Sequence, residues 1–179
     1  MDSFVIISGC SGGGKSTLLQ VLAERGHAVV DEPGRRIVAA QRRNGDSALP
    51  WVDLEAFARE AISLAEQDRA LAKSNNSPWT FFDRGLVDAF AALAHATGDM
   101  AATRHLAWQH RYHSTAFMTP PWREIYHPDA ERQHLFPAAE EEYGRLIALY
   151  PLLGYRTVIL PKVSPQARAD FLLQRLQER

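Results

Sequence analysis

At 179 residues the chain has the length of one domain, residues 1–179, enough to bury most of its apolar surface. Its 20 basic and 21 acidic side chains nearly cancel, which leaves no one-signed field for nucleic acid or an anionic membrane, and neither is expected as a partner. No apolar run nears the roughly 20 residues of a membrane span, no basic leader precedes the first apolar run, and one cysteine, Cys10, allows neither an intrachain disulfide nor a multi-thiolate zinc site, so a cytoplasmic protein is expected.

The first apolar run, Phe4-Val5-Ile6-Ile7, reads as a buried strand. It enters Gly9-Cys10-Ser11-Gly12-Gly13-Gly14-Lys15-Ser16, which fits the G-x-x-x-x-G-K-[ST] phosphate-binding loop, and Ser16 to Glu24 leads out with helical composition. A triphosphate needs many hydrogen-bond donors at short range. Gly9, Gly12, Gly13 and Gly14 remove Cβ atoms, so that successive N–H groups can curl round the β-phosphate while the helix N-terminus adds partial positive charge. Lys15 is expected on the β- and γ-phosphates and the Ser16 hydroxyl on Mg²⁺. Beside a helix N-terminus the Cys10 thiol could have a lowered pKa, but the loop requires from it only a backbone N–H.

Gly26 stops the first helix, and His27 to Glu32 reads as a second strand ended by Pro33-Gly34. Arg35 to Arg43 is helical in composition, and Asn44-Gly45-Asp46 and Pro50 mark a loop. From Asp53, a natural N-cap, Leu54, Phe57, Ala58, Ala61, Ile62 and Ala65 recur at helical spacing to about Lys73. After the break at Asn75-Asn76-Ser77-Pro78 comes a third strand, Trp79 to Asp83, then a helix from Leu86 to Thr97 that is apolar nearly all round, closed by Gly98-Asp99. A further helix extends to about Tyr112, and a fourth strand, Ser114 to Met118, is cut off by Pro120-Pro121. Residues 122–137 have no clean period. Ala138 to about Tyr150 is helical, Arg156 to Leu160 is a fifth strand stopped by Pro161, and a final helix starts near Pro165. Strands alternating with helices predict an α/β fold, a parallel sheet with helices on both faces.

Ligands of such sheets bind beyond the C-terminal strand ends, which nominates the loop after Gly9, Glu32, Asp83 and the segment after Met118. Glu32 could take a proton from an attacking hydroxyl. Asp83 stands where P-loop proteins hold Mg²⁺, and Arg84 could contact phosphate or substrate. Asp88, one turn further on an apolar helix, either reads substrate or pairs with a neighbouring arginine. Arg35 and Arg36 could hold an anionic acceptor, against the ordinary reading of solvated arginines on a helix surface. His105, His110, His113, His127 and His134 match no metal-ligand spacing. Trp51, Trp79 and Trp108 read as core or rim, whereas Trp122 beside Arg123 could flank a bound ring.

Four stretches together, Gly9 to Thr17, Val30-Asp31-Glu32-Pro33-Gly34-Arg35-Arg36, Phe82-Asp83-Arg84-Gly85 and Pro120-Pro121-Trp122-Arg123, resemble the P-loop nucleoside and nucleotide kinases, and more closely the AAA family of P-loop ATPases related to the NadR nicotinamide riboside kinase domain. The resemblance covers nearly the whole chain. It implies a three-layer P-loop NTPase fold with a five-stranded parallel sheet and a lid after the fourth strand, at about 120–137. It also implies ATP and Mg²⁺ at a nucleotide site that includes Thr17, Glu32 as general base, Asp83-Arg84 in support, Arg123 and Arg132 as lid arginines on the phosphates, and Pro161 to Ser164 as a wall for adenine. Two departures stand out. Asp83 is followed by Arg84-Gly85 instead of the second acid of the large AAA motors, and the lid arginines are widely spaced. The leading expectation is transfer of the ATP γ-phosphoryl to a small hydroxyl-bearing acceptor, a nucleoside or related metabolite. The alternatives are a plain NTPase and a nucleotide-dependent switch acting on a protein partner. No Asn/Thr-Lys-x-Asp guanine-reading stretch is present, which favours ATP over GTP.

Overall fold

Phe4, Val5, Ile6 and Ile7 are all buried because β1 (Phe4–Gly9) runs through the middle of a sheet covered on both faces. The computed structural model describes residues 3–44, 48–74, 77–127 and 135–178. After β1 come α1 (Lys15–Glu24), β2 (Ala28–Val30), α2 (Pro33–Asn44), α3 (Leu54–Ala72) and β3 (Thr80–Asp83). Then follow α4 (Leu86–Thr97), α5 (Met100–Gln109), β4 (Thr115–Thr119), a 3-10 turn (Arg123–Ile125), α6 (Phe136–Leu152), β5 (Arg156–Ile159) and α7 (Pro165–Gln177). The sheet has five parallel strands in the order β2-β3-β1-β4-β5, with Ile7 opposite both Asp83 and Phe117. This is the expected α/β architecture.

Handedness decides which helix covers which face. Only the β1-to-β2 connection runs toward the β2 edge; the other crossovers run toward the β5 edge. Right-handed crossovers therefore put α1 on one face and α2 to α6 on the other. After β5 the chain returns and α7 packs beside α1. Alternation along β1 feeds two cores. Val5 and Ile7 join Leu18, Leu22, Phe81, Phe117 and Leu172 under α1 and α7, while Phe4 and Ile6 join Phe82, Phe90, Tyr112, Met118 and Tyr150.

Several boundaries differ from the sequence reading. β2 stops at Val30, so Asp31 and Glu32 form the turn into α2, which begins at Pro33 and not at Arg35. Proline suits the first helical turn, where its missing N–H would have had no intrahelical partner. Pro137 lies in the first turn of α6 for the same reason, so residues 136 and 137, expected within the lid segment, belong to that helix. Of the segment expected as a lid, residues 120–127 and 135 are described without belonging to an α-helix or strand, and they hold one 3-10 turn. Arg132 and His134, like Gly45-Asp46 and Asn75-Asn76, lie outside the described residues. Among the described residues no helix is long and apolar enough to cross a membrane.

Candidate active site

The phosphate loop is fixed from below by β4. Gly9 has φ 111, and a Cβ on it would lie 2.4 Å from the Thr119 carbonyl oxygen, so only glycine permits this approach. The Cys10 N–H then donates to Thr119 O at 2.9 Å. Gly14, at φ 80, turns the loop into α1. Lys15 is 5% exposed, and its Nζ donates to Cys10 O at 3.2 Å, so the ammonium arches over the loop it serves. Thr17 hydrogen-bonds back to Gly14 O. Cys10 is fully buried, and burial pushes its thiol up from the ordinary value, against the lowering that its helix-terminal position suggests.

Glu32, at the end of β2, and Asp83, at the end of β3, come to the same side of this loop because both strands lie on one side of β1. The Ser16 hydroxyl donates to Asp83 Oδ2 at 3.4 Å. Asp83 is 4% exposed, and its Oδ1 accepts no hydrogen bond among the described residues. Burial pushes its carboxyl up to about 6; Lys15 pulls against the shift and Glu32 adds to it. A buried carboxylate oxygen without a donor, beside a hydroxyl at a helix N-terminus, suits a hard cation such as Mg²⁺, which takes few protein oxygens and keeps waters and phosphate oxygens for the rest.

Arg84 binds the other carboxylates together. It is the one non-glycine residue with positive φ among those described, at 60°, and its N–H is held by Ile7 O at 2.9 Å. That backbone aims the guanidinium at Glu142, at 2.8 and 3.0 Å, at the Gly9 carbonyl oxygen, at 3.2 Å, and at Glu32 Oε1, 3.2 Å from Nε. Burial disfavours its charge, but Glu142, Glu32 and Asp88 outweigh that and raise its pKa above the arginine value. Arg84 therefore serves carboxylates and does not stand free for a phosphate. Asp88 makes the arginine pairing considered for it and also faces the cavity. It lies 3.6 Å from Arg84, while it accepts from Ser8 and, at 2.8 Å, from the Tyr150 hydroxyl. Burial raises its pKa.

The two arginines of α2 part company. Arg35 pairs with Glu32 at 3.2 Å and lines the cavity, whereas Arg36 turns away and grips Asp68 of α3 through two contacts, 2.7 and 2.8 Å. Arg123 sits exposed in the 3-10 turn with its guanidinium over the Phe136 ring, and not against Lys15, Glu32 or Asp83. The Trp122 ring lies under the Arg168 guanidinium, 4.8 Å from its centroid.

Sequence reasoning missed two side chains. Glu142 lies in register with Leu146 and Leu149 on the inward stripe of α6, and Arg168 with Leu172 and Leu176 on that of α7. A charge on an apolar stripe is the signal that could have found them. Arg168, 2% exposed, donates to Gly13 O and to Pro161 O, each at 2.7 Å, and so ties the phosphate loop to the segment after β5. Next to the loop a cavity of about 750 Å³ opens between α2, α3, α4 and α6, with Glu32, Arg35, Arg84, Asp88 and Glu142 in its lining.

With a phosphate loop after the central strand, Asp83 at the end of the adjacent β3 and Glu32 just beyond β2, the protein has a P-loop fold of the kind seen in nucleoside and nucleotide kinases. The chain belongs to the AAA domain family, whose model matches residues 4–168. Over 64 residues it is 36% identical to Nucleotide-binding protein GOX0815 of Gluconobacter oxydans (strain 621H), a match covering 35% of the chain and only 20% of that relative. The deoxyadenosine kinase of M. mycoides, solved with dCMP and dCDP, is similar with a TM-score of 0.66 at 12% identity over 98% of this chain and 99% of that one. The NadR protein in complex with NAD and AMP-PNP is similar with a TM-score of 0.66 at 17% identity, over 99% of this chain and 50% of that one. At these identities the likeness is one of fold.

Proposed function

We propose that the protein is a small-molecule kinase that binds ATP with Mg²⁺ and transfers the γ-phosphoryl to a hydroxyl-bearing acceptor. The observation that carries this reading is the 750 Å³ cavity beside Glu32. A protein that only hydrolyses nucleotide needs room for a water, whereas this one keeps a chamber open where an acceptor hydroxyl would meet the γ-phosphate.

The loop N–H groups and Lys15 hold the β- and γ-phosphates. Ser16 and Asp83 would hold Mg²⁺, which when bound neutralises charge on the phosphate oxygens. Glu32, braced between Arg35 and Arg84, takes the proton of the acceptor hydroxyl as that oxygen bonds to the γ-phosphorus. The bond from the γ-phosphorus to the bridging oxygen breaks, leaving ADP and a phosphate monoester. Arg84 keeps Glu32 and Glu142 in place. Arg123 and Arg132 are the lid candidates for the phosphate charge, and Arg35 is placed to meet the acceptor. The fold likeness of this chain to a deoxyadenosine kinase over nearly all of both chains supports the kinase reading.

The test is ADP release from Mg·ATP with and without a panel of alcohols and nucleosides. Acceptor-stimulated release is expected in the wild type, about a hundredfold or greater loss in Lys15→Ala, and in Glu32→Gln a loss of transfer of at least about a hundredfold with ATP binding retained. A low rate that no acceptor stimulates would overturn the kinase in favour of a switch.

A further inference from the structure

We propose that the acceptor is an amphiphilic alcohol, with its hydroxyl at Glu32 and an apolar body lying along α4. This rests on the kinase reading and names the substrate class for the same site. The cavity is a trough. Gly85 and Glu142 line it near the phosphate loop, and Gly98 and Leu152 line it at the other end, so it follows the whole of α4. At 1.5 Å per residue that helix is about 18 Å long, well beyond the reach of a small polar acceptor anchored at Glu32.

Chemistry changes along this length. Glu32, Arg35, Arg84, Asp88 and Glu142 cluster at the phosphate end and are bonded to one another. Further along, the charged or polar lining residues are Arg145 and His95, both exposed and therefore at the rim. The rest is alanine, leucine, valine, phenylalanine, methionine, proline and glycine. Among the described residues no asparagine, glutamine, threonine or tyrosine lines the trough, and the one hydroxyl there, on Ser11, belongs to the phosphate loop. A site that reads a heterocyclic base needs such groups, because specificity for polar edges comes from hydrogen-bonding partners in the wall. An alkyl or prenyl body needs none.

The far mouth gives an independent indication. Leu152 is 63% exposed and Met100 41% exposed, and both line the trough. Apolar side chains left in water at the open end of an apolar channel are the surface that an emerging apolar chain would cover.

The experiment measures binding of primary n-alkanols from butanol to decanol by calorimetry, with adenosine as the polar comparator. The dissociation constant is expected to fall about fourfold per added methylene. Leu152→Glu and Met100→Glu, at exposed positions that the fold does not need, should each weaken octanol and decanol by about tenfold or more while sparing butanol. A flat series, adenosine binding tighter than every alkanol, or octanol binding untouched by both variants would overturn the proposal. Octanol-stimulated ADP release is scored separately. A graded, variant-sensitive series with no acceptor, octanol included, stimulating release would sink the kinase and leave the amphiphile site standing; stimulation by adenosine with a flat series would do the reverse.

Discussion

Along β1, Val5 and Ile7 point into a face sealed by α1 and α7, while Ile6 and Ser8 point into the face that carries α2 to α6 and the cavity. The sealed face is filled by aliphatic and aromatic side chains, and among the described residues the buried charges that meet it, Lys15, Asp83 and Arg168, stand at the loop end. The open face buries Asp88 and most of Arg84 within a few residues of its core, while Asp83, in register with Ile7, lies at the loop end beside α1. Such groups are costly unless partnered, and here Asp88 is held by Ser8, Tyr150 and Arg84, and Arg84 by Glu32 and Glu142. The difference teaches where function resides in this fold. One face provides stability, and the other gives some of it up to hold carboxylates near a phosphate site.

The sharpest way to break that comparison is Arg84→Met. Methionine keeps the Cβ and the length of the stem, so the strain of a φ of 60° is unchanged, and what is lost is the cation. Glu142, Glu32 and Asp88 would then face one another without it. A loss of about 3–5 kcal/mol of stability is expected from urea denaturation. A loss no larger than that of a surface substitution would mean that the open face stores no such cost.

On the sealed face the matching change is Leu22→Ala, at a fully buried position. It should cost about 3 kcal/mol by leaving a cavity, somewhat less than the loss of Arg84. ADP release per folded molecule should stay at the wild-type value, because Leu22 lies in the second half of α1, away from the loop. A fall in turnover matching the fall in stability would show that the two faces are not separable.

The same contrast explains what the sequence disclosed. The phosphate loop is contiguous, so its donors and glycines stand side by side in the chain, and Glu32 and Asp83 follow from the rule that strand ends form the site. The network behind them is assembled from far apart: Arg84 meets a glutamate 58 positions on, and Arg168 meets Gly13 across 155. No local period records such pairings. Where charges interrupt an apolar stripe, as Glu142 and Arg168 do, the interruption is visible but its partner is not. The clamp role of Arg123 comes from the family resemblance alone, and in the structure its guanidinium lies over the Phe136 ring.

Arg35 and Arg36 offer the finest division, because adjacent positions on one helix separate site from scaffold. Arg35 reaches Glu32, whereas Arg36 makes its pair with Asp68, which is 9% exposed, and so joins α2 to α3 on the outer side of the open face. Arg36 is itself 43% exposed, so solvent screens the pair and its loss is small. For Arg36→Ala a change of about 1 kcal/mol is expected in urea denaturation, shrinking in high salt, with acceptor-stimulated ADP release unaltered. Should Arg36→Ala instead raise the KM for the acceptor at constant stability, the site would extend over the outer face of α2, and the boundary between the charged end of the trough and its scaffold would have to be redrawn there.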